Sequence, residues 1–210
     1  MGPTPVGSEQ GAKTVRRKTF DMILTAVGAV LTIVLIAAGA LGLWGYNYAN
    51  SNVHDQLAMQ QITFPALGSQ ALASPKIGPY LDKYAGQQLL TGSQAEAYAD
   101  HFIAVHLSEM PFGGVYSKAS AAALADPTNA TLQGEVNTIF KGTTLRGLLL
   151  EAYAFSTIGE VALVGAIVSF ILAGIMLILT ALGVWHARRT PEEVEFPKSL
   201  HNEERVPATV

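Results

Sequence analysis

Two stretches of the chain hold no acidic, basic or histidine side chain. Asp, Glu, Lys, Arg and His are all missing between Asp21 and His54, and again between Glu160 and His186. A hydrocarbon core about 30 Å thick takes roughly 20 apolar residues at 1.5 Å each, and residues 22–46 and 161–185 reach that length. Backbone amides and carbonyls have no water to bond in lipid, so both runs are expected to be helices. Helices apolar on every side need a large protein around them if they are not in a membrane. The residues between these two are too few to build one.

The rest of the pattern is helical as well. Residues 46–61 have helical composition without a breaker, which carries the first helix beyond the membrane until Phe64-Pro65 stops it. Residues 65–80, with three prolines and two glycines, read as a loop. Ser93 and Glu96 have capping-box spacing and predict a helix to about Met110. On it Ala95, Tyr98, Ala99, Phe102, Val105 and His106 form one stripe. Gly113-Gly114 breaks the chain, residues 117–125 predict a short alanine-rich helix, and Asp126-Pro127 ends it. Another helix is expected over residues 132–140, and from Thr143 the helical pattern runs unbroken into the second apolar run. No strand run and no internal repeat is visible.

These elements predict an all-α membrane protein, with two transmembrane helices extended into a small helical extracytoplasmic domain. The expected boundaries are a disordered cytoplasmic tail over 1–19, a first span over 20–46, the outer domain over 47–157, a second span over 158–186 and a second cytoplasmic tail over 187–210. Orientation follows the basic residues beside the spans. Lys13, Arg16, Arg17 and Lys18 precede the first, and Arg188 and Arg189 follow the second. The outer flanks at 44–48 and 155–157 have neither Lys nor Arg, and Trp44, Tyr46, Tyr48, Tyr153 and Phe155 stand where an interfacial aromatic belt belongs. Both ends are therefore expected in the cytoplasm of a plasma-membrane protein, with residues 47–157 outside. The basic start, the apolar run and Ala38-Gly39-Ala40 also have the outline of a cleavable signal peptide. The apolar run over 22–37 exceeds the roughly 7–15 residues usual for one.

Composition narrows the chemistry. Cysteine is absent, which removes disulfides, thiolate chemistry and acylation on cysteine. A net charge of −3 points to no nucleic-acid partner. Neither span carries an ionisable group of the kind that proton relays and polar transport pathways need. Phosphate-binding glycine loops, a nucleophile elbow and zinc-ligand spacings are missing too.

The histidines hold the remaining ligand chemistry. His101 and His106 are five apart, about 140° around a regular helix, so they lie on different faces. His106 and Glu109 are three apart and share one. A ferrous site takes two histidines and a carboxylate, which would call on His54 from a distant segment. Glu151 and Glu160 are nine apart, half a turn in net angle, and read as acids marking the water boundary. Asn129-Ala130-Thr131 matches the glycosylation sequon. Within the spans, Ala38 and Gly42, and then Gly165, Ser169 and Ala173, place small residues four apart. That rhythm lets helix backbones approach closely, in docking a partner membrane protein or in packing the two helices on each other.

Four segments also resemble one family. They are Ala49-Asn-Ser-Asn-Val-His-Asp-Gln-Leu57, Tyr84-Ala-Gly-Gln-Gln88, Tyr98-Ala-Asp-His-Phe-Ile-Ala-Val-His106 and Lys141-Gly-Thr-Thr-Leu-Arg-Gly-Leu148. The chain from about residue 15 to 190 is similar to a family of small actinobacterial membrane proteins with two transmembrane helices. Many of its members carry the automatic label aromatic ring-opening dioxygenase. That resemblance implies a non-haem enzyme using Fe2+, with His54, His101, His106 and Glu109 as the candidate ligands, although no ring-opening motif is matched and no catalytic residue carries over. The residues themselves point instead to a non-catalytic accessory or interaction protein of the envelope or of a membrane complex, without cofactor. Its partners would be the bilayer and another membrane protein.

Overall fold

The computed structural model describes residues 17–189, and these are almost wholly helical. The α-helices are α1 (Arg17–Gln60), α2 (Gly78–Leu81), α3 (Gly92–Tyr98), α4 (Ala104–Ser108), α5 (Tyr116–Ala125) and α6 (Ala130–Arg189). The tails expected over 1–19 and 187–210 lie outside the described residues, except for 17–19 and 187–189, which are helical. The one strand-like feature among the described residues is a single antiparallel bridge, Thr63 to Gln88.

Both long helices have the length and composition to cross a membrane. In their most apolar windows only 17% of α1 and 11% of α6 is buried. The core helices of a soluble protein are mostly buried, and that contrast favours lipid as the surrounding medium. Ala38-Gly39-Ala40 lies well inside α1, which continues for another twenty residues.

The chain divides into two compact units, one ending at Ala37 and resuming at Ser169, the other covering Ala38–Val168. In the first, α1 and α6 run antiparallel. A Cβ on Gly28 would stand 2.7 Å from Thr180 Oγ1, and one on Gly183 would stand 2.8 Å from Thr25 Oγ1. The buried Thr32 hydroxyl donates to Gly28 O at 2.8 Å, and Thr25 donates to Asp21 O. These two hydroxyls are satisfied inside their own helix, whereas the buried Thr180 Oγ1 has no hydrogen-bond partner among the described residues. Asp21 Oδ2 and His186 Nε2 lie 4.0 Å apart where the charge-free runs end.

In the second unit the same two helices meet again, each contact having a glycine on one side. A Cβ on Gly42 would fall 2.9 Å from Ala162 O, and one on Gly159 3.0 Å from Ala49 Cβ. Beyond this contact α1 ends in a left-handed residue, Gln61 (φ 52°), whose amide bonds Ala58 O at 3.2 Å. Phe64 N then donates to Gln87 O, Leu89 N donates to Ile62 O, and Gly86 N donates to Pro65 O. The core lies beneath this clasp. Phe64, Leu81, Leu89, Ala95 and Ala99 are almost fully buried, against Val53 and Leu57 of α1 and Leu149 of α6. The Phe64 ring meets Tyr84 at 5.2 Å and Tyr98 edge-on at 5.3 Å. Burying each large side chain contributes about 1.5–3 kcal/mol.

Local details depart from the sequence expectations for identifiable reasons. The capping box is formed by Thr91 and Gln94 rather than by Ser93 and Glu96. Gln94 Oε1 accepts from the amides of Leu90 and Thr91, and Gly92 sits so close to Ser156 that only a glycine fits there. The helix to Ser108 contains one π turn, Ala99–Ile103. Its i→i+5 bonding shifts the register, so Ile103 is buried while His106, expected on the apolar stripe, is exposed. The region 65–80 is not plain loop, since it holds a 3-10 turn at Gln70–Leu72 and the first residues of α2. The helices expected over 132–140 and from 143 are one, because Gly142 continues α6 and packs against Leu107.

The close helix contact gives a direct comparison. Gly42→Leu has to push α6 away and is expected to destabilise the pair by about 1–3 kcal/mol. Gly165→Leu, at a position with nothing within 4 Å, is expected to change little. Unfolding of both variants in the same detergent by circular dichroism checks the difference.

Candidate functional site

The small residues of the spans are the first candidates, and the structure sorts them. Ala173 is buried, Gly42 and Ser169 are half-buried, and Ala38 and Gly165 are exposed. The buried positions follow a seven-residue repeat, with Gly159, Ala166 and Ala173 on α6. A step of seven drifts by about 20° around a helix, whereas a step of four drifts by about 40°. The spacing of four therefore leaves the contact line that the spacing of seven follows. These residues pack α1 and α6 on each other, and the exposed Ala38 and Gly165 take no part in it.

The histidines are held apart by their own local bonds. His54 Nδ1 lies 3.2 Å from the carboxylate of its neighbour Asp55, out in solvent. His101, on the π turn, stacks face to face on Tyr80, with ring centroids 3.6 Å apart and planes within 1°. The π turn invalidates the 140° separation computed for a regular helix, but the two rings still find different partners. His106 Nδ1 is 2.7 Å from Phe102 O. A carbonyl only accepts, so that nitrogen carries the proton. Glu109 follows the last residue of α4 and is exposed. Among the described residues no three His, Asp or Glu side chains come together as a metal-binding group. The structure thus does not bring His54, His101, His106 and Glu109 together as the two histidines and one carboxylate that a ferrous site takes.

Other sequence candidates have structural duties. Asn129 Oδ1 accepts from the amide of Leu132, and its Nδ2 donates to Asp126. The sequon asparagine is thus the N-cap of α6. Glu151 and Glu160 are both exposed. Sequence reading missed an ion pair, Arg146 Nη2 to Asp100 Oδ1 at 2.6 Å across 46 positions. Asp100 and His101 both stand on the π turn, which fastens this segment to α6 through one and to Tyr80 through the other.

One concave feature lies near these groups. A cleft of about 380 Å³ runs between α1 and α6 within the second unit. Its apolar wall is Val53 and Leu57 on one side and Leu145, Leu148, Ala152 and Phe155 on the other. Asn52, Gln56, Gln60 and Glu151 form the polar part of its lining. No histidine and no hydroxyl side chain is among its lining residues, and Glu151 is the one ionisable group there.

No protein-family model matches the chain, and neither a curated protein nor a solved structure matches it.

Two outcomes follow. Anaerobic loading of the purified protein with ferrous iron is expected to leave it substoichiometric, and His106→Ala is expected not to change the amount measured by mass spectrometry. Stoichiometric iron lost in that variant would restore the dioxygenase reading. Separately, burial pushes the Tyr98 phenol above its usual value near 10. Above that pH an unfolded phenol ionises while the folded one stays protonated, so the native state binds more protons and stability falls as pH rises. Tyr98→Phe is expected to flatten this alkaline limb in melting curves recorded from pH 8 to 11.

Proposed function

We propose that this chain is a non-catalytic membrane protein whose extracytoplasmic helical domain engages another component of the envelope or of a membrane complex. The observation that carries this reading is the use made of the polar side chains. Those that sequence reading marked as chemistry are local caps, ring stacks and back-bonds, while residues 22–46 and 161–185 hold no Asp, Glu, Lys, Arg or His. Such a molecule has the parts for holding a shape beside a membrane, and among the described residues no three His, Asp or Glu side chains converge.

The topology in this proposal keeps both ends in the cytoplasm and residues 47–157 outside. It is supported by the basic residues at 13–18 and 188–189, by their absence from the outer flanks, and by the Trp44–Tyr48 ring stack at 5.7 Å, placed where a water–lipid boundary favours aromatics. The partner is expected to contact the domain or the exposed face of the spans, since the packed small residues are already used between α1 and α6.

The absence of cysteine makes the test direct. Ser93→Cys in intact cells is expected to react with a membrane-impermeant maleimide, and Ser8→Cys only after the cells are opened. Affinity purification from native expression in mild detergent is then expected to recover a second protein in fixed ratio. Recovery of this chain alone would sink the accessory reading while leaving the topology result standing.

A further inference from the structure

We propose that the cleft between residues 52–60 of α1 and 145–155 of α6 binds a single-tailed amphiphile with a cationic head. Its alkyl chain lies along the leucine wall, and Glu151 faces the head. The inference rests on the membrane placement proposed above and adds a ligand to it.

The location comes first. Asn52 follows Tyr48 by one helical turn, about 6 Å along α1, so the cleft begins where the aromatic ring stack ends. An amphiphile dissolved in the outer leaflet reaches it without leaving the interface. The wall comes second. Leu145, Leu148, Ala152 and Phe155 recur at intervals of three and four, on one stripe of α6. Leu148 is 59% exposed and Phe155 37%, while Val53, Leu57 and Leu149 beneath them are buried. An apolar floor with an exposed apolar edge, set beyond the hydrocarbon core, gains stability when an alkyl chain covers it.

Size and charge select the occupant. A volume of 380 Å³ lies in the range of small-ligand sites, about 300–1,000 Å³. A docking helix about 10 Å across, laid along the roughly 12 Å of wall, would displace about 900 Å³ and stand mostly outside. An alkyl chain is slim enough to lie within. Of the lining residues only Glu151 is ionisable, and the other polar groups are the carboxamides of Asn52, Gln56 and Gln60. Gln56 Nε2 already donates to Asn52 Oδ1 at 2.9 Å. The nearest basic residue in sequence, Arg146, is engaged by Asp100. An anionic head would find a carboxylate and no cation, whereas an ammonium head finds a matching charge.

The experiment uses the full chain in phosphatidylcholine nanodiscs. A photoreactive dodecyl-trimethylammonium probe and a dodecyl-sulfate probe with the same photoreactive tail are compared. Saturable labelling of the peptides containing residues 52–60 and 145–155 is expected from the ammonium probe. Glu151→Gln should weaken that labelling about fivefold, the ceiling for one exposed charge pair. Ala152→Trp should abolish it by filling the cleft. If that variant loses its melting transition, Leu148→Gln takes its place and should weaken labelling without unfolding the chain. Equal labelling by the sulfate probe, or labelling unchanged by the cleft variants, overturns the proposal. Efficient Leu148→Cys cross-linking between two copies in the discs also overturns it and gives the cleft to a second chain. Ser93→Cys maleimide labelling in intact cells shows separately whether the membrane placement has failed.

Discussion

Everything in this structure depends on how closely α1 and α6 approach. In each unit the contact is made where one helix offers no side chain, at Gly28 and Gly183 in the first and at Gly42 and Gly159 in the second. A methyl group at any of these would stand within about 3 Å of the opposite helix. In lipid there is little hydrophobic gain in putting two apolar helices together, because the surrounding chains are as apolar as leucine. What holds them is dispersion between closely packed surfaces, which falls off within an ångström of separation. Small residues are therefore a requirement of the medium. In the second unit that contact also sets where Val53, Leu57 and Leu149 stand, and these form the floor of the core that Phe64, Leu81 and Leu89 complete.

Above that floor, polar groups act as fasteners. Gln94 closes the start of α3, Asn129 opens α6, His106 bonds the helical segment that carries it, and Arg146 reaches Asp100 on the π turn. Each is placed by a need of the backbone or of a neighbouring segment. A catalytic centre would instead bring several titratable groups onto one small volume and shift their proton affinities. Tyr98, whose phenol burial pushes above its ordinary value, is held in the aromatic cluster around Phe64. The cleft at residues 52–60 and 145–155 carries one ionisable side chain, Glu151, beside an apolar wall.

Much of the fold is legible in the sequence because lipid imposes a strong, local rule. A run without charge has to be helical and has to be long, so residues 22–46 and 161–185 announce themselves. The extension of α1 to Gln60 and its stop before Pro65, together with the alanine-rich α5, are equally local properties of composition and proline. Events that join distant segments were not legible. The Asp100–Arg146 pair spans 46 positions, and the helix that Thr91 rather than Ser93 caps begins with Gly92 packed against Ser156. The π turn at Ala99–Ile103 adds a residue to a helix whose apolar spacing reads as regular, and along it Ile103 is buried and His106 exposed.

The candidate residues divide along the same line. The sequence by itself determined that the spans are helical, free of charge and rich in small residues, since these follow from the identity of each side chain and the solvent it has to face. Only the tertiary structure decided which small residues touch. Ala38 and Gly165 share a spacing with Gly42 and Ala173, yet a period of four turns off the contact line that a period of seven keeps. It also decided that His54, His101, His106 and Glu109 stay apart, because a ligand set is a meeting in space and each of these side chains has its own surroundings: a neighbouring carboxylate, a tyrosine ring, a backbone carbonyl and open solvent.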